Sequence, residues 1–116
     1  MGATDFSNRN NIIIVDATIT MFSTEDGGRQ TSIFTGYRPN HAFVKIDNPS
    51  FQTYIGEVQF DDKKEIRPGE SGDVTVYFLI MGAIELFLTT GRIWWIYEGG
   101  RLVGQGDVKA VKQQPR

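Results

Sequence analysis

The chain has 116 residues, a net charge of −2 at pH 7 and no cysteine. This length fits one domain whose core can be stable without metal or disulfide cross-links. The absence of cysteine excludes disulfides, thiolate nucleophiles and Cys-based zinc sites. Fourteen acidic residues against twelve Lys and Arg argue against a dedicated nucleic-acid binder, because such proteins neutralise phosphates with excess positive charge. Any RNA contact therefore needs a local cationic patch.

The two ends of the chain are polar. Residues 1–11 carry Phe6 as their large aromatic side chain and resemble neither a secretory signal nor a transit peptide. The apolar runs of the sequence are shorter than the roughly 20 residues that a bilayer-spanning helix needs, so we expect a cytoplasmic protein with no membrane contact. We predict a flexible polar arm over residues 1–11, one barrel domain over 12–111 and a frayed tail over 112–116.

Alternation of apolar residues with period two predicts strands along most of the chain. The first predicted strands cover residues 12–22, 41–46, 51–60 and 74–80. Turn residues separate them at 23–29, 47–49, 61–65 and 68–72. Residues 81–90 fit either a strand or a helical turn. About seven strand-like runs without an amphipathic helix predict an all-β barrel or sandwich, in which Greek-key closure removes exposed edges.

One short phrase occurs twice, as Glu25-Asp26-Gly27-Gly28-Arg29 and as Glu98-Gly99-Gly100-Arg101. Each copy lies where one apolar run ends and another begins. Gly-Gly adopts positive φ without steric cost, so each copy fits a tight reversal between antiparallel strands. The second copy predicts a β-hairpin between residues 92–97 and 101–106.

Residues suited to catalysis are sparse. His41, the single histidine, is interpreted as a half-exposed strand residue, because a catalytic base needs a nucleophile that the sequence does not place. The acidic pairs Glu25/Asp26 and Asp61/Asp62 lie in turns, where Asp side chains cap backbone N–H groups. The chain has neither a phosphate-binding loop ending in Gly-Lys-Ser/Thr nor a dinucleotide fingerprint. We therefore expect no enzyme, no cofactor, no metal and no bound nucleotide.

Residues 93–97, Ile-Trp-Trp-Ile-Tyr, are apolar at five consecutive positions. In a barrel wall one parity faces the core and the other faces outward, so the outward side chains need a cover. Exposed aromatic clusters commonly mark partner surfaces. The alternative is that residues 1–11 or 82–90 fold over this strand within one molecule. The predicted protein interface comprises Ile93, Trp95, Tyr97 and Leu102.

The turn of this hairpin fixes the expected cross-strand neighbours. A two-residue turn at Gly-Gly places Tyr97 opposite Leu102 and Trp95 opposite Gly104. These pairs enlarge the outward apolar patch. The simplest partner for such a patch is a second copy of the chain, which would form a homodimer.

Several blocks of sequence resemble the C-terminal domain (domain 3) of bacterial elongation factor Tu. They are Glu25-Asp26-Gly27-Gly28-Arg29-Gln30-Thr31, Phe34-Thr35-Gly36-Tyr37-Arg38-Pro39-Asn40, Pro68-Gly69 before a strand, and Glu98-Gly99-Gly100-Arg101-Leu102-Val103-Gly104-Gln105-Gly106. The similarity covers about residues 15–111. It implies a non-catalytic antiparallel Greek-key barrel of six or seven strands. In this family the barrel helps hold the T-stem of aminoacyl-tRNA and docks against the GTPase domain, which this chain does not contain.

The resemblance also implies a set of RNA-binding residues, which the chain retains incompletely. Family members usually have Gln at the position of Asn40, and an Ile-Lys-Pro segment where this chain has Ile80-Met81-Gly82. A lysine that helps hold the RNA backbone is thus missing, and about three extra residues follow before Gly91, so RNA binding is expected to be weakened. The candidate RNA-binding residues are Arg29, Arg38, Asn40, Glu98, Gly99 and Arg101.

The arginines of the two Gly-Gly copies also have a structural interpretation. Arg29 and Arg101 follow Gly-Gly directly, so they can hydrogen-bond turn carbonyls or pair with Glu25 and Glu98 instead of contacting phosphate. Arg38, in a surface loop, has fewer structural roles open to it.

Three functions remain open from the sequence. The first is a non-catalytic module that binds a protein partner or itself through the predicted interface, where the family's outward Arg, Ala and Arg become Ile93, Trp95 and Tyr97. The second is an RNA-binding translation accessory that uses the retained T-stem-type residues. The third is a mimic or immunity-type decoy of elongation factor Tu that engages the partners of that factor.

Overall fold

Six antiparallel strands close into a barrel in the computed structural model, which describes residues 11–44 and 52–113. The strands are β1 (Ile12–Met21), β2 (Asn40–Ala42), β3 (Tyr54–Phe60), β4 (Ser71–Leu79), β5 (Ile93–Glu98) and β6 (Arg101–Gln113). Their order around the barrel is β1-β4-β3-β2-β5-β6, and β6 pairs back onto β1. This closure confirms the predicted all-β barrel and pairs each of these strands on both sides.

The first strand shows how alternation builds the barrel wall. One parity of β1 is at most 2% exposed and belongs to the core: Ile13, Val15, Ala17, Ile19 and Met21. From Asp16 onward the other parity carries polar side chains, and the Thr18 hydroxyl donates to a carboxylate oxygen of Asp73 on β4 at 3.1 Å. At the start of the strand Ile12 is buried as well. The single buried face predicted for this strand is confirmed, because successive side chains in a strand point to opposite faces.

Strand boundaries differ from the predicted ones mainly around β2. The chain bends after Ala42, so β2 has three residues, and β3 begins at Tyr54. The predicted turn at 47–49 lies outside the described residues, as do residues 1–10 of the predicted arm. At the other end of the chain, β6 continues to Gln113, two residues past the predicted end of the barrel domain.

The two Gly-Gly copies form different turns. The second joins β5 to β6 in the predicted hairpin, with Glu98 paired to Arg101. The first reverses the chain after β1 without forming a hairpin, because β1 pairs with β4 and β6 and not with the next strand. Glycine is required in this first turn: Gly27 has a φ of +93°, and a Cβ on Gly28 would lie 2.0 Å from the carbonyl oxygen of Phe22.

Residues 81–90 close one end of the barrel. They contain a short 3₁₀-helix, Ile84–Leu86, which favours the helical-turn alternative. Ile84 and Leu88 are buried in the core, and the ring of Phe87 stacks on Phe43 with 5.5 Å between centroids. The buried side chains of this segment therefore pack into the barrel interior and not over the outside of β5.

Trp94 lies at the centre of the aromatic core. Its Nε1–H donates to Nδ1 of His41 at 3.0 Å, and its ring centroid lies 5.8 Å from that of Phe43 and 5.7 Å from that of Phe78. His41 is fully buried, and its Nε2–H donates to the carbonyl oxygen of Gly56 at 3.1 Å. The prediction of a half-exposed histidine is therefore wrong. A neutral imidazole is stable in this core because both ring nitrogens are hydrogen-bonded.

Close packing of Trp94 against β6 predicts an effect on stability. Gly106 lies opposite Trp94, and a Cβ there would be 2.4 Å from the indole Cη2. We expect Gly106→Ala to lower the free energy of unfolding by about 2 to 3 kcal/mol, because overpacking displaces the indole. Gly100→Ala is the control, since a Cβ at Gly100 would meet nothing within 4 Å, and we expect a change below about 0.5 kcal/mol. Equal effects of both substitutions in denaturant unfolding would contradict this packing.

The buried histidine predicts a loss of stability in acid. Burial lowers the pKa of His41 from 6.5 to about 4, and the hydrogen bond to Gly56 only partly opposes this shift. The unfolded chain takes up the proton first, so the stabilisation is complete above about pH 6.5 and is lost as the pH falls to about 4. The expected loss is roughly 3 kcal/mol.

Denaturant unfolding of wild type and His41→Gln between pH 7 and pH 4 measures this loss. Carboxylates titrate in both proteins, so the wild type should lose more stability than the variant by the amount that His41 contributes. Parallel stability curves would contradict a neutral, buried His41.

Candidate functional site

The outer face of β5 carries a small apolar patch. Trp94 and Ile96 are fully buried in the core, so Ile93 and Trp95 face outward, and both are half-exposed. Leu102 of β6 is also half-exposed. These three outward side chains, Ile93, Trp95 and Leu102, are called the β5 patch below.

Tyr97 does not belong to the exposed surface predicted for it. It pairs with Leu102 as the hairpin predicted, but it is only 5% exposed. The pairing register shifts between Ile96 and Tyr97, but the extra residue of this bulge lies on β6, so β5 keeps its alternation and Tyr97 keeps the outward parity of Trp95. Tyr97 is buried without being a member of the core cluster, and the exposed patch is therefore smaller than the sequence predicted.

The same bulge corrects the predicted partner of Trp95. Trp95 pairs with Gln105 and not with Gly104, because Val103 is an extra residue in the β6 side of the ladder. A two-residue turn alone does not fix the register once a bulge follows it. The neighbour of Trp95 on β6 is therefore a polar side chain.

The most exposed large apolar side chains lie elsewhere. Three of them are in loops or in the 3₁₀-helix, and one is on β3. Sequence reasoning missed the three outside β3 because no periodic pattern marks residues in loops or in a single helical turn. They are Phe34, Val44, Ile55 and Leu86.

The two Gly-Gly loops meet at one end of the barrel and bind each other. Arg101, from the second loop, donates to the carbonyl oxygens of Gly27 at 3.0 Å and of Gly28 at 2.8 Å in the first loop. Arg29, from the first loop, forms an ion pair with Glu98 of the second. These five residues are called the clasp below. The structural interpretation of both arginines is thus confirmed, with Glu98 as the partner of Arg29.

Glu98 is the centre of the clasp. The Tyr37 hydroxyl donates to Glu98 Oε2 at 2.5 Å, and the same oxygen accepts from Arg29. Burial and then the Glu98 carboxylate raise the pKa of Tyr37 well above its ordinary value. Burial lowers the pKa of Arg29, but Glu98 outweighs this effect and the pKa of Arg29 is raised. Sequence reasoning included Tyr37 in a motif but gave it no role of its own.

The remaining predicted RNA-binding residues lie outside the clasp. Arg38 Nε donates to Glu57 Oε1 of β3 at 2.8 Å, so its guanidinium is held against the neighbouring strand. Asn40, at the start of β2, is exposed and pairs with Tyr97. Gly99 is exposed in the hairpin turn with a φ of +60°. The structure therefore brings Arg29, Glu98, Gly99 and Arg101 together and leaves Arg38 facing Glu57.

An open cleft of about 340 Å³ lies over the clasp, lined by Arg29, Gln30, Thr31, Glu98 and Arg101. Its two arginines and one glutamate leave a net positive charge of one. Several donors of these arginines are already used, since Arg29 also donates to the carbonyl oxygen of Thr31 at 3.2 Å. The cleft is chemically suited to a polar ligand with modest negative charge.

The described residues, 11–44 and 52–113, contain neither a metal-binding cluster nor a membrane-spanning helix. Within them, no group of three or more His, Cys, Asp or Glu side chains is arranged to hold a metal ion. The same residues form no helix that is both long and apolar enough to cross a membrane.

These features define a class of protein: a closed six-stranded Greek-key barrel with one end organised by two cross-bonded Gly-Gly loops. The sequence model of the elongation factor Tu C-terminal domain family matches residues 10–112, and the chain belongs to this family. Elongation factor Tu 2 of Streptomyces avermitilis is 33% identical over 96 residues, which cover 83% of this chain and 22% of that protein. The chain therefore spans about a fifth of the length of this relative, and the resemblance noted in the sequence is confirmed.

The clasp predicts a measurable coupling between its charged members. The Arg29 and Glu98 side chains are 24% and 35% exposed, so a double-mutant cycle of Arg29→Ala and Glu98→Ala should give a coupling of about 1 kcal/mol. Glu98→Ala should destabilise more than Arg29→Ala, because it also removes the acceptor of Tyr37.

The matched control for this cycle is the pair of Arg67 and Glu65. These side chains are 67% and 38% exposed and 3.6 Å apart, so their coupling should be near zero. Equal couplings in the two cycles would contradict a specific clasp.

Proposed function

We propose that this chain is a non-catalytic binding module that engages a protein partner through the β5 patch. A second copy of the chain is the simplest partner. The observation that carries the proposal is the half-exposed indole of Trp95 on the outward face, with Ile93 on the same strand and Leu102 on the next.

The chemistry of the patch supports a protein partner. A few residues dominate the binding energy of protein interfaces, and tryptophan is among the residue types enriched at these positions. Complete burial of a fully exposed side chain of this kind is worth on the order of 2 kcal/mol, and each of these already half-buried side chains can contribute a part of that. The β5 patch offers three at once, and the resemblance to elongation factor Tu implies that another domain covers part of this region in family proteins.

Substitution of Trp95 by glutamate tests the proposal. In size-exclusion chromatography with light scattering, the mass of the wild type should exceed the 13.1 kDa of one chain. The mass of Trp95→Glu should be that of a monomer. A buried carboxylate without a partner strongly disfavours an interface, so we expect the dissociation constant to rise at least about a hundredfold.

Leu86→Glu is the matched control, because Leu86 is 77% exposed and lies outside the β5 patch. It should leave the mass of the wild type unchanged. A monomeric wild type whose Trp95 is shielded from soluble quenchers would contradict the proposal. If the monomer has an accessible Trp95, photo-cross-linking from position 95 in lysate tests for a different protein partner.

RNA binding is the second candidate, and the cleft over the clasp favours it. This cleft gathers Arg29, Glu98 and Arg101, which the resemblance links to holding the T-stem of tRNA. Two observations limit the affinity: the arginines are already bonded within the clasp, and Met81 stands where the family usually has lysine. The proposed RNA contact is therefore weak and salt-sensitive.

Opposite charges at one cleft position test RNA binding without removing the clasp. Gln30 lines the cleft and is exposed, so neither Gln30→Lys nor Gln30→Glu should perturb the fold. Titration with fluorescent aminoacyl-tRNA at low salt should show binding about threefold tighter for Gln30→Lys and about threefold weaker for Gln30→Glu. Equal binding by both variants, or none in the micromolar range, would reject this candidate.

A further inference from the structure

A second apolar surface lies on the outside of the barrel, centred on β4. Phe78 of β4 faces the core, so its neighbours Tyr77 and Leu79 face outward, and both are partly exposed. Ile14 of β1 pairs with Tyr77 and is partly exposed as well. Ile55 of β3 precedes the β3 partner of Phe78, so it lies beside Leu79, and it is 39% exposed. These four side chains, Ile14, Ile55, Tyr77 and Leu79, are called the β4 face below.

The β4 face and the β5 patch lie on opposite walls of the barrel. The order of the strands is β1-β4-β3-β2-β5-β6, and β6 pairs back onto β1. The strands β4 and β5 are therefore three positions apart in both directions around the closed wall. A contact between two copies of the β5 patch would bury only one of these surfaces in each molecule and leave the other exposed to water.

The charge beside the β5 patch disfavours contact between two copies of that patch. Asp107 pairs with Ile93 at the rim of the patch and is exposed. A two-fold symmetric contact uses the same surface of both molecules, so it would bring two Asp107 carboxylates to one small interface. The arginines next to the patch, Arg92 and Arg101, both donate to backbone carbonyl oxygens of their own molecule.

The rim of the β4 face carries exposed cations. Glu57 pairs with Tyr77 in the ladder and forms an ion pair with Arg38, whose side chain is 46% exposed. Lys112, with a side chain that is 59% exposed, lies 3.6 Å from Asp16 on β1. Each cation is balanced by a carboxylate, so this rim avoids the repulsion between like charges and offers cations that can approach Asp107 of another molecule. Complementary charges of this kind set the orientation of an interface.

We propose that the β4 face of one molecule binds the β5 patch of the next, so that the chain assembles head to tail. This inference rests on the proposed function, because it takes the β5 patch as one side of the contact and names the surface that covers it. Since the two surfaces point in opposite directions, the contact does not close into a dimer and adds molecules at both ends. The average mass of the wild type should therefore rise with concentration beyond twice the 13.1 kDa of one chain.

Two variants, each blocked on one surface, test this arrangement by light scattering. Trp95→Glu keeps only the β4 face, and Ile55→Glu keeps only the β5 patch. Ile55 is the most exposed member of its surface, so its substitution should leave the barrel folded. Each variant alone should be a monomer, and an equimolar mixture should form a 1:1 complex of twice 13.1 kDa. The double variant should stay monomeric in a mixture with either one.

Tryptophan fluorescence locates the contact within the mixture. Trp94 is fully buried, so quenching of Ile55→Glu by acrylamide reports mainly on Trp95. Addition of Trp95→Glu should reduce this quenching several-fold, because its β4 face covers the indole. Addition of the double variant should leave the quenching unchanged.

Three results would overturn the head-to-tail contact: Ile55→Glu that self-associates on its own, a mixture of the two variants that stays monomeric while the wild type assembles, or a wild type that is monomeric at every concentration. The first result would leave a symmetric contact through the β5 patch. The proposed function fails separately, when the wild type is a monomer whose Trp95 is shielded from quenchers.

Discussion

The hydrogen bond from Trp94 to His41 is the interaction on which the arrangement of β5 depends. It joins the indole to a fully buried imidazole on the adjacent strand, and Gly106 leaves space for the ring on the other side. Since one indole is fixed inside the barrel, the alternation of a strand sends the neighbouring Trp95 outward. The β5 patch is thus a consequence of how the core is packed.

The clasp fixes the positions of the two Gly-Gly loops at the end of the barrel. Two copies of one short phrase contribute an arginine each, and each arginine binds the other copy. The first loop is not part of a hairpin, so these bonds hold it against β6 in place of a strand ladder. The same guanidinium groups are then less free to bind phosphate.

Local pattern was sufficient for much of the fold, and long-range contacts explain the rest. Alternation placed the apolar face of β1, and Gly-Gly placed the β5–β6 hairpin. Burial of His41 could not be predicted, because its partner Trp94 lies 53 positions away. The bulge at Val103 has no local signal, so the partner of Trp95 was predicted wrongly. The exposure of Tyr97 was also predicted wrongly, because strand parity alone does not show that an outward side chain is covered. The hydrogen bond from Arg101 to Gly27 joins residues 74 positions apart. The sequence alone therefore could not decide whether Arg101 binds a turn carbonyl or an RNA phosphate.

Exchange of the two indole N–H protons with deuterium, followed by NMR, tests the central claim most directly. The Trp94 proton should exchange only through unfolding of the barrel, because it is buried and bonded to His41. The Trp95 proton, on the outward face, should exchange faster by orders of magnitude. Equal exchange rates for the two indoles would contradict a β5 strand with one tryptophan inside and one outside.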